Sequence, residues 1–165
     1  MRLDFSKTYA VRPLTAADAD AILALCAENA QFYRYHPPMA TRESILADMT
    51  ALPPGTGAED KHYLGFFDGE VLTAVLDLIE HYPQKDVAYI GFFMTKKERQ
   101  GGGLGTALIG ELLDELRQAK FCRVRLAVDR GNPQSKAFWE KNGFVLTGEE
   151  FAHGTSAYLP MEREL

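Results

Sequence analysis

Cysteine is scarce in this chain of 165 residues, with only Cys26 and Cys122. Both fall inside apolar patterns, so they read as buried free thiols suited to a reducing compartment, not as a disulfide framework. No apolar run approaches the roughly 18–20 residues needed to span a bilayer. The stretch from Met1 to Ala10 is polar and lacks the apolar segment of a secretory leader. These absences point to a cytoplasmic protein with no membrane partner. His36, His62 and His153 are scattered without a metal-ligand spacing such as H-x-x-x-H, and no metal is expected. A G-x-S-x-G elbow for acyl-enzyme chemistry is missing. So is the G-x-x-x-x-G-K-S/T phosphate loop, and the third glycine of G-x-G-x-x-G would fall on Thr106 or Leu108.

What is present is an ordinary globular balance, 46% hydrophobic and 25% charged, in a length that suits one domain, residues 1–165. The net charge is −5 but unevenly placed. Between Lys96 and Lys141 there are ten basic residues against six acidic, while the remainder holds eight against seventeen. Positive potential on one segment of an acidic molecule suits a compact polyanionic ligand; nucleic acid, which needs a broad basic face, is not expected.

Residues 8–12 read as a first strand, and Thr15 with Asp18 forms a capping-box-like helix start. Ile22, Leu25, Cys26 and Asn29 follow at helical spacing, and a second helix starts at Thr41 with Ile45, Met49 and Leu52. Residues 62–67 and 71–79 flank Asp68-Gly69, a two-residue hairpin turn, and residues 87–94 make a third meander strand. A glycine-rich stretch then leads into a helix carrying Ile109, Leu112, Leu113 and Leu116 on one face. Residues 122–128 alternate as a strand, and 133–141 form a short helix stopped by Asn142-Gly143. Residues 145–151 and 157–163 are expected to close the sheet as a final hairpin. The pattern predicts an α/β (α+β) fold on a mixed, mostly antiparallel sheet flanked by helices.

The sharpest local signal is Arg99-Gln100-Gly101-Gly102-Gly103-Leu104-Gly105-Thr106, set between a strand and a helix. Glycines let several N–H groups converge, and the helix start adds unpaired donors and a positive dipole end. Together they make an anion cradle suited to a pyrophosphate. Gln100, Gly103 and Gly105 satisfy the pattern Q/R-x-x-G-x-G. A second block, Asn132 followed by Ser135 to Phe144, is similar to N-x-x-A/S-x-x-F/L-Y/W-x-K-x-G-F. With these two motifs in order, the chain resembles the GNAT superfamily of N-acetyltransferases over nearly its whole length.

That resemblance implies a sheet splayed between the strands ending near Thr95 and Asp129, with acetyl-CoA as the acyl donor. The backbone of Phe93, Met94 and Thr95 would pair with the pantetheine arm. Gln100, Gly101, Gly102, Gly103, Leu104, Gly105 and Thr106 would hold the pyrophosphate. Asn132 would reach the pantetheine from the other side, flanked by Ser135, Phe138 and Lys141, with Lys96, Lys97 and Arg99 as candidate steering charges. It also implies direct attack of an amine on the thioester, with the oxyanion held by a backbone N–H near Met94 or Thr95.

Two positions depart from the family pattern. Trp139 stands where a tyrosine often serves as general acid, and Tyr89 where a carboxylate often serves as base; an indole N–H cannot titrate. Glu80 and His81, at the end of a strand, are further candidates for acid–base work. Asp77, in an otherwise apolar strand face, is either aimed into a polar site or part of a structural ion pair. The catalytic base is left unassigned. Phe32, Tyr33 and Tyr35, dense in aromatics with polar edges, and Tyr63 are candidates for the acceptor pocket. The acceptor reads as a small-molecule amine or amino acid, with a protein or peptide amine and a non-catalytic acyl-CoA sensor as alternatives. Either a monomer or a homodimer fits.

Overall fold

The computed structural model describes residues 1–165. Eight strands form one sheet in the order β1-β2-β3-β4-β5-β8-β6, with β7 paired to β8. The strands β1 (Ala10–Pro13), β2 (Lys61–Asp68), β3 (Val71–Ile79) and β4 (Val87–Thr95) run antiparallel in sequence. The β2–β3 hairpin pairs Asp68 with Val71, so its two-residue loop is Gly69-Glu70, one residue later than the sequence suggests. Gly69, at φ +59°, supplies the left-handed backbone that such a loop needs at its first position.

The single parallel pairing, β4 with β5 (Arg123–Asp129), requires a crossover, and α4 (Leu104–Gln118) provides it. Leu108, Ile109, Leu112, Leu113 and Leu116 recur at helical spacing and are buried. Each contributes about 1.5–3 kcal/mol by leaving water. Glu115 interrupts that stripe and is buried too; it accepts a hydrogen bond from the Arg2 amide at 2.7 Å and faces the Arg2 guanidinium. Against the same core packs α5 (Pro133–Lys141), whose start is fixed by Pro133 and by the Asn132 side chain accepting from the Ser135 amide. The opposite face of β2–β4 is covered by α1 (Ala19–Glu28) and α3 (Arg42–Asp48), around Ile22, Leu25, Ile45 and Val75. The short helix α2 (Ala30–Tyr33) follows α1 directly. The Thr15–Asp18 capping box opens a 3-10 turn ahead of α1, and Thr41 with Ser44 caps α3.

Two further sequence expectations change. The final hairpin is interrupted: only Val145–Leu146 (β6) and Phe151–His153 (β7) pair with β8 (Ser156–Glu164). Between them Gly148 turns the chain at φ +87°, and Glu149 and Glu150 reach Arg125 and Arg130 instead of continuing the ladder. Cys26 is buried as expected, but Cys122 is exposed. Phe121 fills the inward position at that point, and β5 begins only at Arg123.

Candidate active site

The site grows from a mismatch between two strands. Parallel pairing between β4 and β5 runs from Val87–Arg123 to Ile90–Leu126 and then stops. On its other edge β4 carries an extra residue, Gly91, because Asp77 pairs with Phe92 while Leu78 pairs with Ile90. Such a bulge bends its strand and increases the local twist. Residues 91–95 therefore diverge from 127–129, and the edge of β4 facing the gap has no ladder partner. The space beneath Gly91 is taken by Asp77, whose Oδ2 would lie 2.9 Å from an added Cβ. That carboxylate pairs with Lys61 at 2.8 Å, so Asp77 belongs to a buried ion pair.

At the end of β4, Asn29 and Gln100 form a latch. The Gln100 amide donates to Asn29 Oδ1 at 2.7 Å and to the Thr95 carbonyl at 3.1 Å. Asn29 in turn donates to the carbonyls of Leu25 and Thr95. One buried asparagine thereby fixes the end of α1, the end of β4 and the entry to the glycine loop.

The loop beyond this latch is rich in unused donors. Gln100 N–H bonds to the Lys97 carbonyl and Ala107 N–H to that of Gly103. The six amides from Gly101 to Thr106 between them find no acceptor in the chain. Gly103 sits at φ +88° as the residue before α4, a left-handed conformation that aims the following amides outward from the helix start. Among the ten basic residues from Lys96 to Lys141, only Lys97, Lys120 and Lys141 lack an acidic partner. Lys97 and Lys141 line the cavity next to the loop, whereas Lys96 pairs with Glu98 and Arg99 with Asp68.

This cavity, about 430 Å³, is lined by thirteen of the fourteen residues expected from sequence at a coenzyme site, Gly102 alone being absent. Phe32 and Lys97, singled out in the sequence for other roles, also line it, as do Asn29, Gln31 and Gln134, which carry no motif that marks them. A second cavity of about 270 Å³ occupies the gap between β4 and β5 and shares Phe32, Phe93, Ser135 and Trp139 with the first. The arrangement is a donor-rich anion cradle joined to a cleft with an open strand edge.

The model of the acetyltransferase (GNAT) family matches residues 22–144. The chain belongs to the GNAT acetyltransferase family. It is an N-acetyltransferase with the GNAT fold. Its structure is similar to an acetyltransferase from Thermus thermophilus, with 22% identity, full coverage of both chains and a TM-score of 0.77. It is also similar to PaiA N-acetyltransferase from Thermoplasma acidophilum in complex with coenzyme A, at 19% identity over 95% of this chain and 99% of that one, TM-score 0.68. A ribosomal-protein-alanine N-acetyltransferase from Brucella melitensis matches at 19% identity over 94% and 99% of the two chains, TM-score 0.66. No curated protein matches the chain.

Within this GNAT domain the acid–base candidates separate. Trp139 is buried among Phe93, Phe138 and Phe144 and lines both cavities. Tyr89 lines the second cavity, where burial pushes its phenol up from the ordinary value. Glu80 and His81 line neither. Glu80 holds His62 and the Met1 ammonium, which keep its carboxyl down at about 2, and His81 bonds Asp60 at 2.9 Å. Of the acceptor candidates, Phe32 lines both cavities, while Tyr33 and Tyr63 pack into the core under α1 and α3 and Tyr35 lines neither.

One constellation escaped the sequence reading. His36, three residues past α2, places Nδ1 at 3.1 Å and 3.2 Å from the two oxygens of Asp129 at the end of β5. Both residues line the second cavity, beside Tyr158. They are 93 positions apart, and only the fold joins them.

Proposed function

We propose that this GNAT enzyme transfers the acetyl group of acetyl-CoA to the primary amine of a small molecule or amino acid by direct attack. The observation that carries the donor half is the run of six unpartnered amides, Gly101 to Thr106, beside Lys97 and Lys141. Backbone donors at a helix start with nearby cations suit a pyrophosphate. In this reading the pantetheine arm lies along the open edge of Phe93, Met94 and Thr95. Asn132 uses its Oδ1 to cap α5, which leaves its amide NH2 as the group free to donate to that arm. Phe138, Ser135 and Lys141 flank the coenzyme. A backbone N–H on the unpaired edge near Met94 or Thr95 would meet the thioester oxygen as it becomes an oxyanion.

The acceptor half rests on the second cavity, whose modest volume and lining by Phe32, Phe92 and Tyr158 suit a compact amine. No helix is long and apolar enough to cross a membrane, and both cysteines are free, which supports action in the cytoplasm. Two cores on either face of one sheet support a single domain.

The test is thiol release from acetyl-CoA with pools of polyamines, amino acids, aminoglycosides and short peptides, run beside Gly103→Glu. That variant adds negative charge and a strained backbone at the cradle, so acetyl-CoA affinity should fall at least about 100-fold, near 2.7 kcal/mol. Release driven by a free-amine pool and absent in the variant supports the reading. Release driven only by peptides assigns a protein acceptor instead, and tight binding without release from any pool assigns a sensor.

A further inference from the structure

We propose that His36 is the general base of the transfer, with Asp129 as its positioning residue; this rests on the amine-acetylating reading above. An acceptor alkylamine is protonated near neutral pH and cannot attack until it loses that proton. The base must therefore stand in the cleft that receives the amine, present a free lone pair and be reachable from solvent. His36 meets each condition. It lines the second cavity together with Gly91, Phe92 and Phe93. Its Nδ1 is engaged by Asp129, which is buried, and Nε2 makes no hydrogen bond within the chain. Its side chain is 40% exposed, so a proton taken up has a route to water.

The carboxylate fixes the chemistry of the ring. Asp129 accepts the Nδ1 proton, which places the lone pair of the neutral imidazole on Nε2. Nε2 takes one proton from the alkylammonium, and the free amine forms a C–N bond to the thioester carbonyl. The C–S bond breaks with its electron pair on sulfur. The surplus proton on nitrogen passes to the thiolate, and the imidazolium returns its own proton to solvent. Net products are the amide, coenzyme A thiol and one proton.

The groups facing the ring come from three elements. Asp129 on β5 is in contact, and Tyr158 on β8 has its ring centroid 6.1 Å away. Phe32 packs against the other side at 5.3 Å. No arginine or lysine lines the second cavity, so a cationic amine entering it meets no like charge from the lining side chains other than the base itself.

The test uses the full chain, acetyl-CoA and the amine pool that gives the fastest thiol release. In His36→Gln, kcat/KM for the amine should fall about 100-fold or more at neutral pH. The acid limb of its pH profile should lose one ionisation, with acetyl-CoA Kd, read from Trp139 fluorescence, within twofold of wild type. Asp129→Asn should retain more activity than His36→Gln, with the loss in kcat and the His36 ring no longer held as the Nδ1–H tautomer. Independently of turnover, the ring ¹⁵N spectrum should show His36 as the Nδ1–H tautomer. An unchanged limb in His36→Gln, or an Nε2–H tautomer in the wild type, overturns the assignment while leaving the transferase reading intact. A wild type that binds acetyl-CoA and acetylates no amine overturns both.

Discussion

Replacing Asn29 by alanine should loosen the coenzyme loop and destabilise the whole fold. Three hydrogen bonds end on this side chain: two donated, to Leu25 and Thr95, and one accepted from Gln100. At roughly 0.5–1.5 kcal/mol net for each bond, the loss is about 2–3 kcal/mol. The damage is limited because Thr95 keeps its bond from Gln100, and the Gln100 amide is close enough to the surface to find water. For a chain of this size the corresponding drop in Tm is about 5–10 °C. Urea unfolding of N29A, Q100A and the double variant gives the coupling across the latch, expected near 1 kcal/mol. Acetyl-CoA affinity should fall about tenfold in each single variant, because the loop is no longer tied to the end of β4. A change below 0.5 kcal/mol in N29A with an unaltered Kd would show that the latch neither stabilises the fold nor positions the loop.

Lys61→Met strands the Asp77 carboxylate, so unfolding should become easier by about 3–5 kcal/mol. Burial already pushes the Asp77 pKa up against the pull of Lys61, so the penalty should grow as pH rises from 5 to 8. K61M/D77L should be more stable than K61M alone; the opposite ordering would rule out a buried pair. Asp18, bonded by Arg12, and Glu80, paired with His62, are both held down to about 2. Their unfolded forms take up protons first, so that stability is complete above about pH 5 and is lost as pH falls toward 2; the acid-unfolding slope of Glu80→Gln should be shallower. Trp139 is the sole tryptophan and borders both cavities, so acetyl-CoA should change its emission in a saturable way that Gly103→Glu abolishes. Emission indifferent to acetyl-CoA would remove the coenzyme from this cavity.

Local signals carried most of the architecture into the sequence. The leucine spacing of α4, the Thr15 and Thr41 caps, and the glycine loop each depend on residues a few positions apart, and the structure places all of them. The final hairpin failed at Gly148, where a positive φ and two ion pairs outweigh alternation. Cys122 failed because a strand boundary moved by one residue. Position alone could not separate Lys97 from Lys96 and Arg99; their ion-pair partners did. Asn29 with Gln100 and His36 with Asp129 were illegible for a different reason. Each pair is joined across 71 or 93 residues, and no periodicity within one segment reports such a meeting. The positions that bind and react in the proposed scheme are thus partly written in local pattern and partly created by the closing of the chain.

The early end of the β4–β5 ladder has a consequence for the protein at rest. A sheet ordinarily has two edges, and this one opens two more in its interior, on β4 beyond Ile90 and on β5 beyond Leu126. Amides of residues 91–95 that face the gap should exchange with solvent faster than their neighbours facing β3, and acetyl-CoA should slow them. An interior edge is also a template for any extended chain that reaches it. Saturating coenzyme should therefore do more than raise the melting temperature: it should suppress strand-mediated association during heating or concentration.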